Sequence, residues 1–358
     1  MESDCLSYDS CEGAGERLAR LRGRASRFFE SLSVAELARP AHRHQWISDW
    51  LRVAADYGRS AQAARAEGAA RTMLEAWVCS LTALEVARSL SCPGDPVAGD
   101  LAGKIGDSLR DFEDDAGPVI ERVKLDGFER ESPPTGFFLP ALRHGRPAPV
   151  VICVADDHTA MDSMMSRILS ASCGRTMSIL LVDVGTSPLG RSFKPEHLLQ
   201  CWLQYLEARP DVDSRRIAVY GEGAGASHAS RLALLDRRIA AAVCDGGIAT
   251  PVMRRASLRW MIGAEQAGTA TEPLLPSRRI PCPLLVVVGS RSMVWEEDAL
   301  ELNSGYRQAG ADCATVVPNR IPHPLGEVEN FVAVDDFIFQ WLDSKLGEAR
   351  QLAPVTYL

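Results

Sequence analysis

From residue 120 onward the chain is a succession of short apolar runs separated by helix-like segments. The runs are Gly136-Phe-Phe-Leu-Pro-Ala-Leu, Pro149-Val-Val-Ile-Cys-Val, Ser178-Ile-Leu-Leu-Val-Asp, Arg216-Ile-Ala-Val-Tyr, Ile239-Ala-Ala-Ala-Val-Cys and Pro283-Leu-Leu-Val-Val-Val. Leu198–Ala208 and Ala226–Leu235, between some of them, carry helical spacing. Strands that lack polar alternation are buried on both faces, so the pattern predicts an α/β fold with a mostly parallel sheet flanked by helices. Ligand chemistry in such a sheet sits at the carboxyl ends of the strands. Residues 14–118 have a different grammar. Apolar residues recur at three- and four-residue spacing, as in Leu74-Glu-Ala-Trp-Val-Cys-Ser-Leu, which predicts helices. The expected organisation is a helical N-terminal cap domain over 14–118 and a sheet domain over 120–347, with a lid segment near 253–277.

Composition narrows the function classes. In 358 residues, 46% are hydrophobic and 24% charged, enough apolar material for full-sized cores. A net charge of -8 argues against a nucleic-acid partner, because a surface that tracks phosphates needs a basic excess. No apolar run reaches the roughly 20 residues of a membrane span, and the start of the chain lacks a signal-peptide pattern. The ten cysteines stand singly, from Cys5 to Cys313, without CxxC spacing, so no metal site and no redox motif is expected. Reduced thiols without an export signal point to the cytoplasm.

One turn carries most of the chemistry. In Tyr220-Gly221-Glu222-Gly223-Ala224-Gly225 a strand ends, the chain turns on glycines and a helix begins. This is the shape of a nucleophile elbow, G-x-S-x-G. It is also compatible with the dinucleotide fingerprint G-x-G-x-x-G/A, read on Gly221, Gly223 and Ala226 with Asp245 as the ribose-binding acid. A purely structural reading, glycines allowing tight helix–strand packing, stands beside both.

The order of landmarks along the chain resembles the α/β-hydrolase family, in particular its branch with a helical N-terminal domain, the FrsA-like and 2,6-dihydroxypseudooxynicotine-hydrolase-like enzymes. The landmarks are Leu139-Pro-Ala-Leu, Val182-Asp-Val-Gly185 with Pro188 and Gly190, Pro210-Asp-Val-Asp213 leading into the glycine turn, Pro283–Gly289, and Ile321-Pro-His323 before a helix ending Trp341-Leu. The resemblance implies an α/β-hydrolase fold and places the catalytic serine at Gly223, where no nucleophile exists. It places the triad acid in Gly289-Ser-Arg-Ser292, where serine stands instead of aspartate. The family histidine falls on His323, in a loop before the last helix. Asp245 is a relocated acid or a turn-capping carboxylate, with Glu296 and Glu297 as looser alternatives.

The oxyanion region reads Val154-Ala155-Asp156-Asp157-His158. Amides at Ala155 or Asp156, with Ala224, can point at one oxygen. Adjacent carboxylates there suit acid–base work, since neighbouring acids push their pKa values apart; the alternative is a solvated acidic turn. Ser227 as a displaced nucleophile would point along its helix. Expected catalytic residues are therefore His323, Asp156, Asp157 and Asp245. Gly223, Ala224, Ala155 and Glu222 are the expected substrate contacts, with Trp260 and Trp295 as apolar walls.

These readings predict an α/β-hydrolase-fold enzyme without a serine nucleophile and without a cofactor. Its expected work is non-hydrolytic acid–base chemistry (cyclisation, dehydration, isomerisation or a carbon–carbon lyase step) on a mostly apolar carbonyl compound, in a biosynthetic pathway. Three alternatives stay open: a catalytically dead binding or partner module, a nucleotide-dependent enzyme using the Gly221/Gly223 turn, and a hydrolase with a His-activated water. The expected partner is a small molecule, with a homodimer left open and neither nucleic acid nor membrane.

Overall fold

The computed structural model describes residues 15–91, 95–115, 120–125, 133–141, 146–155, 158–184, 195–246, 279–290, 292, 294–323 and 326–347. The chain divides into two compact units. One holds the chain up to Gly117 with Ser166–Gly174 and Ile321–Val328; the other holds the rest.

The helical unit contains α1 (Glu16–Ser31), α2 (Val34–Leu37), α3 (Pro40–Ala66), α4 (Ala70–Ser89) and α5 (Pro96–Asp115). In α1, Leu18, Leu21, Ala25 and Phe29 form one buried stripe, the mark of a helix that covers a core. Helix α4 is that core: every residue from Ala76 to Ala87 is buried, as expected for a helix apolar on all sides. Its polar groups are answered locally. Trp77 Nε1 donates to Asp115 at 2.8 Å, and Ser80 Oγ to the Ala54 carbonyl at 2.9 Å.

The sheet unit is built on β1 (Glu121–Lys124), β2 (Thr135–Leu139), β3 (Ala148–Ala155), β4 (Ser178–Asp183), β5 (Val212–Glu222), β6 (Ile239–Asp245), β7 (Leu284–Val287) and β8 (Cys313–Val316). Their order is β1-β2-β4-β3-β5-β6-β7-β8. β1 and β2 pair antiparallel at one edge; from β4 to β8 every pairing is parallel. The helices are α6 (His158–Ser172), α7 (Pro195–Glu207), α8 (Ala224–Leu235), α9 (Glu296–Gln308) and α10 (Phe331–Leu346). On one face Val150, Val219, Ala242 and Val286 share a core with Trp202 of α7, Leu232 of α8 and Leu302 of α9. The alternate strand residues point to the opposite face, where Tyr220 meets the Phe339 ring of α10 edge-on at 6.5 Å. All eight residues of β3 are buried, which is why its sequence shows no alternation.

The last two strands, β9 (Arg320–His323) and β10 (Gly326–Glu329), form a separate two-stranded sheet. His323 thus ends a strand rather than sitting in a loop. No helix among the described residues is long and apolar enough to cross a membrane.

Candidate functional site

The carboxyl ends of β3, β5, β6 and β7 stand side by side, and the glycine turn follows the second of them. Gly223 is the apex, at φ 58° and ψ -125°, a backbone region that side chains enter only under strain. Its two glycine neighbours are held by backbone. A Cβ at Gly221 would overlap the Gly225 carbonyl, and one at Gly225 would overlap the Val154 carbonyl oxygen. Among the described residues, a Cβ at Gly223 would meet nothing within 4 Å. The turn is closed by Gly223 N–H donating to the Asp245 carbonyl at 2.8 Å and Ala226 N–H to the Gly223 carbonyl at 3.2 Å. Ala224 begins α8, so its amide is among the four that have no acceptor inside the helix.

Two carboxylates flank this apex. Glu222 and Asp245, the last residues of β5 and β6, are register partners in a parallel pairing, so their side chains leave the same face of the sheet. Asp245 is fully buried and Glu222 half-buried. The buried phenol of Tyr220 donates to Glu222 Oε2 at 3.4 Å. Asp245 and Glu222 thus stand as neighbours across the β5–β6 pairing, the former the more deeply buried. Ala155 ends β3 beside this pair, with Val154 in register with Gly221.

The nearby thiols are inert. Burial pushes the Cys153 thiol far above its ordinary range, with the Glu222 charge adding to it. Cys244 is raised likewise by burial, then by Cys282, Cys313 and Asp245. A thiol held protonated is no nucleophile at neutral pH.

The turn after β7 is filled by a residue that the sequence did not single out. Glu329, buried at the end of β10, accepts the Ser290 N–H at 2.7 Å through Oε2. Its carboxylate lies where a Cβ on Gly289 would be. Ser292 serves its own turn, donating to the Val294 carbonyl at 3.1 Å. Neither role has a sequence signal, since a lone glutamate before a helix is ordinary.

The structure thus brings Ala155, Glu222, Gly223, Ala224 and Asp245 together. Trp295, half-buried, is the N-cap of α9. Glu296 and Glu297, exposed, occupy the first turn of α9, where carboxylates favour the helix dipole. Asp156, Asp157, Trp260, the 253–277 segment and the His323 side chain lie outside the described residues. Among the described residues no three His, Cys, Asp or Glu side chains gather to hold a metal ion.

No protein-family model matches the chain, and no curated protein does. Solved structures do. The 2,6-dihydroxy-pseudo-oxynicotine hydrolase is 14% identical with a TM-score of 0.56, over 93% of this chain and 98% of its own. This chain has the α/β-hydrolase fold. Lower-scoring matches are the Pyrococcus horikoshii acylaminoacyl peptidase (14% identical, 65% of this chain and 42% of that one, TM-score 0.47) and a Pyrobaculum calidifontis esterase (15%, 70% and 99%, 0.44). Within the α/β-hydrolase fold, the glycine turn after β5 has the strand–turn–helix context in which a nucleophile elbow occurs.

Proposed function

We propose that this protein is an α/β-hydrolase-fold enzyme that works without a serine nucleophile. It carries out non-hydrolytic acid–base chemistry, a cyclisation, dehydration, isomerisation or carbon–carbon lyase step, on a mostly apolar carbonyl-containing small molecule of a biosynthetic pathway. The observation that carries this reading is Gly223, an elbow apex without a side chain, clear of the described residues for 4 Å where one would project. A substrate atom can approach the bare backbone there. The amides of Ala224 and Ala155 would receive a developing oxyanion, the former with the favourable end of the α8 dipole behind it. Glu222, backed by Asp245, and His323 would hold and move protons, with Asp156 and Asp157 as further carboxylates. Trp260 and Trp295 would wall the apolar part. The solved neighbours are named as hydrolases, and an acyl-enzyme is the step for which Gly223 offers no nucleophile.

The test is covalent chemistry followed by turnover. A serine-directed fluorophosphonate should leave the protein unlabelled, and activated esters should give no burst. A stoichiometric adduct on Ser227 or any other serine would replace this reading with an ordinary serine hydrolase. With a substrate from an aryl-ketone panel, His323→Ala should lower turnover by about two to four orders of magnitude while folding stays intact. A binding module would instead show a change in affinity and no rate to lose.

A further inference from the structure

The eight-stranded sheet ends on two unlike edges. At one, β1 is Glu-Arg-Val-Lys, and its Glu121 holds Arg209; charge of this kind keeps an edge from pairing with another chain. At the other, β8 is Cys-Ala-Thr-Val, without a charge, and its Ala314, Thr315 and Val316 are half-buried. Leu284 N–H donates to the Asp312 carbonyl and Val288 N–H to the Val316 carbonyl, both at 2.9 Å. Alternation therefore turns the N–H and C=O of Cys313 and Thr315 away from β7. Helix α9 covers one face of this edge, its Leu302 and Tyr306 sharing a core cluster with Cys313. A second stripe of α9 lies outside that core. Glu296, Leu300, Asn303 and Arg307 follow at spacings of four, three and four residues, which keeps them on one side of the helix. Glu296 and Arg307 are exposed, and so is Leu300, to 46%.

This stripe is its own complement. Turned about a two-fold axis at its middle, Glu296 falls on the partner's Arg307 and Leu300 on the partner's Asn303. Strand β8 is its own complement too, about Thr315. In an antiparallel pair Thr315 faces Thr315, Ala314 faces Val316 and Cys313 faces Val317, and no charge meets its like. The two centres are level with each other. Tyr306 lies within electrostatic reach of Cys313. Back from Tyr306 to the middle of the stripe is about 7 Å of helix, and on from Cys313 to Thr315 is about 7 Å of strand. Both steps lead the same way, because a helix joining parallel strands runs against them.

We propose that the protein pairs with a second copy of itself through this edge, β8 antiparallel to β8 and α9 beside α9, about a two-fold axis at Thr315. Such an axis closes the assembly at two chains and carries one sheet through both. Backbone groups of β8 that point away from β7 gain partners, and the two Glu296–Arg307 pairs fix the register. The pairing is independent of any chemistry at Gly223.

Sedimentation of the full-length protein over a range of concentrations tests this without a substrate. The wild type should associate reversibly, with dimer dominant by about 100 μM. Glu296→Arg alone, or Arg307→Glu alone, sets like charges against each other at both ends of the stripe and should weaken the dimer at least about tenfold. Both residues are exposed, so these variants keep the fold. The two changes in one chain restore opposite pairs, as does an equimolar mixture of the two single variants; each should regain the dimer. Hydrogen exchange reads the strand itself. The Thr315 amide should be protected in the wild-type dimer and lose that protection in either single variant, while Ala314 and Val316, turned toward β7, exchange equally in all. A wild type that stays monomeric at about 100 μM, or single variants that pair as tightly as the wild type, would overturn the proposal. A dimer that leaves the Thr315 amide as open as in the monomer would refute it as well, by placing the contact elsewhere.

Discussion

The turns after β5 and β7 end two strands of one sheet and are constrained in opposite ways. After β5, backbone dictates the flanking residues: Gly221 and Gly225 face carbonyl groups that leave no room for a Cβ, while a Cβ on the apex Gly223 would touch none of the described residues. After β7, the constraint is a side chain. Gly289 leaves room for the Glu329 carboxylate, which takes the Ser290 amide, and Ser292 closes its own turn. One turn keeps its backbone and has an empty apex; the other is filled by a residue from another strand. Close-packed backbone leaves no room for an added atom, whereas a side chain in contact can give way.

The largest expected effect breaks this comparison if it fails. Gly225→Ala should cost more than about 4 kcal/mol and yield little soluble protein, because strand and helix backbones cannot part without losing their packing. Gly223→Ala, with space for its Cβ but a positive φ, should fold with a loss of about 1–3 kcal/mol. Denaturant unfolding measures both. A Gly225→Ala protein as stable as the wild type would remove the backbone argument.

A middle-sized effect sharpens the other turn. Glu329→Ala should cost about 1–3 kcal/mol by leaving the Ser290 amide without its acceptor. Gly289→Ala alone should destabilise by pushing the carboxylate aside, and much less once residue 329 is alanine. A double-mutant cycle would show this as coupling; strict additivity would mean the two residues do not act on each other.

The smallest effect concerns the thiols beside the first turn. Burial raises the folded-state pKa of Cys153 and Cys244, so both stay protonated while the same groups in the unfolded chain ionise above the ordinary thiol value. Their contribution is whole below that value and falls as pH rises through it, by about 1.4 kcal/mol per pH unit for each thiol. Melting temperature should therefore drop from pH 9 to 11, and less steeply in Cys153→Ala and Cys244→Ala. Equal slopes in all three proteins would mean these thiols ionise without strain and would reopen them as nucleophiles.

Much of this fold was legible because parallel strands buried on both faces write themselves as unbroken apolar runs. Ser178–Asp183 is strand β4 over the same residues, and the run before the glycine turn is the end of β5. Strands held by other means were not. β1 is Glu-Arg-Val-Lys, a charged edge strand whose Glu121 takes Arg209 Nη1 at 2.6 Å. β9 contains Pro322, which a two-stranded ladder tolerates. Of the candidate site, Glu222, Gly223 and Ala224 could be named in advance because a glycine turn between strand and helix has a local signature, and Ala155 and Asp245 because each closes an apolar run.

What the sequence determined by itself is therefore local: which segments are strands or helices, where the chain must turn on glycine, and that no hydroxyl or thiol stands at the apex of the turn after β5. Tertiary structure alone decided that Glu222 and Asp245 leave the same face as register partners, that Glu329 fills the turn after β7, and that Ser166 of α6 donates to Glu85 of α4. The physical reason is range. Propensity and periodicity act within one or two turns of chain, whereas a hydrogen bond between residues 81 apart exists only once packing has removed water and brought the partners together.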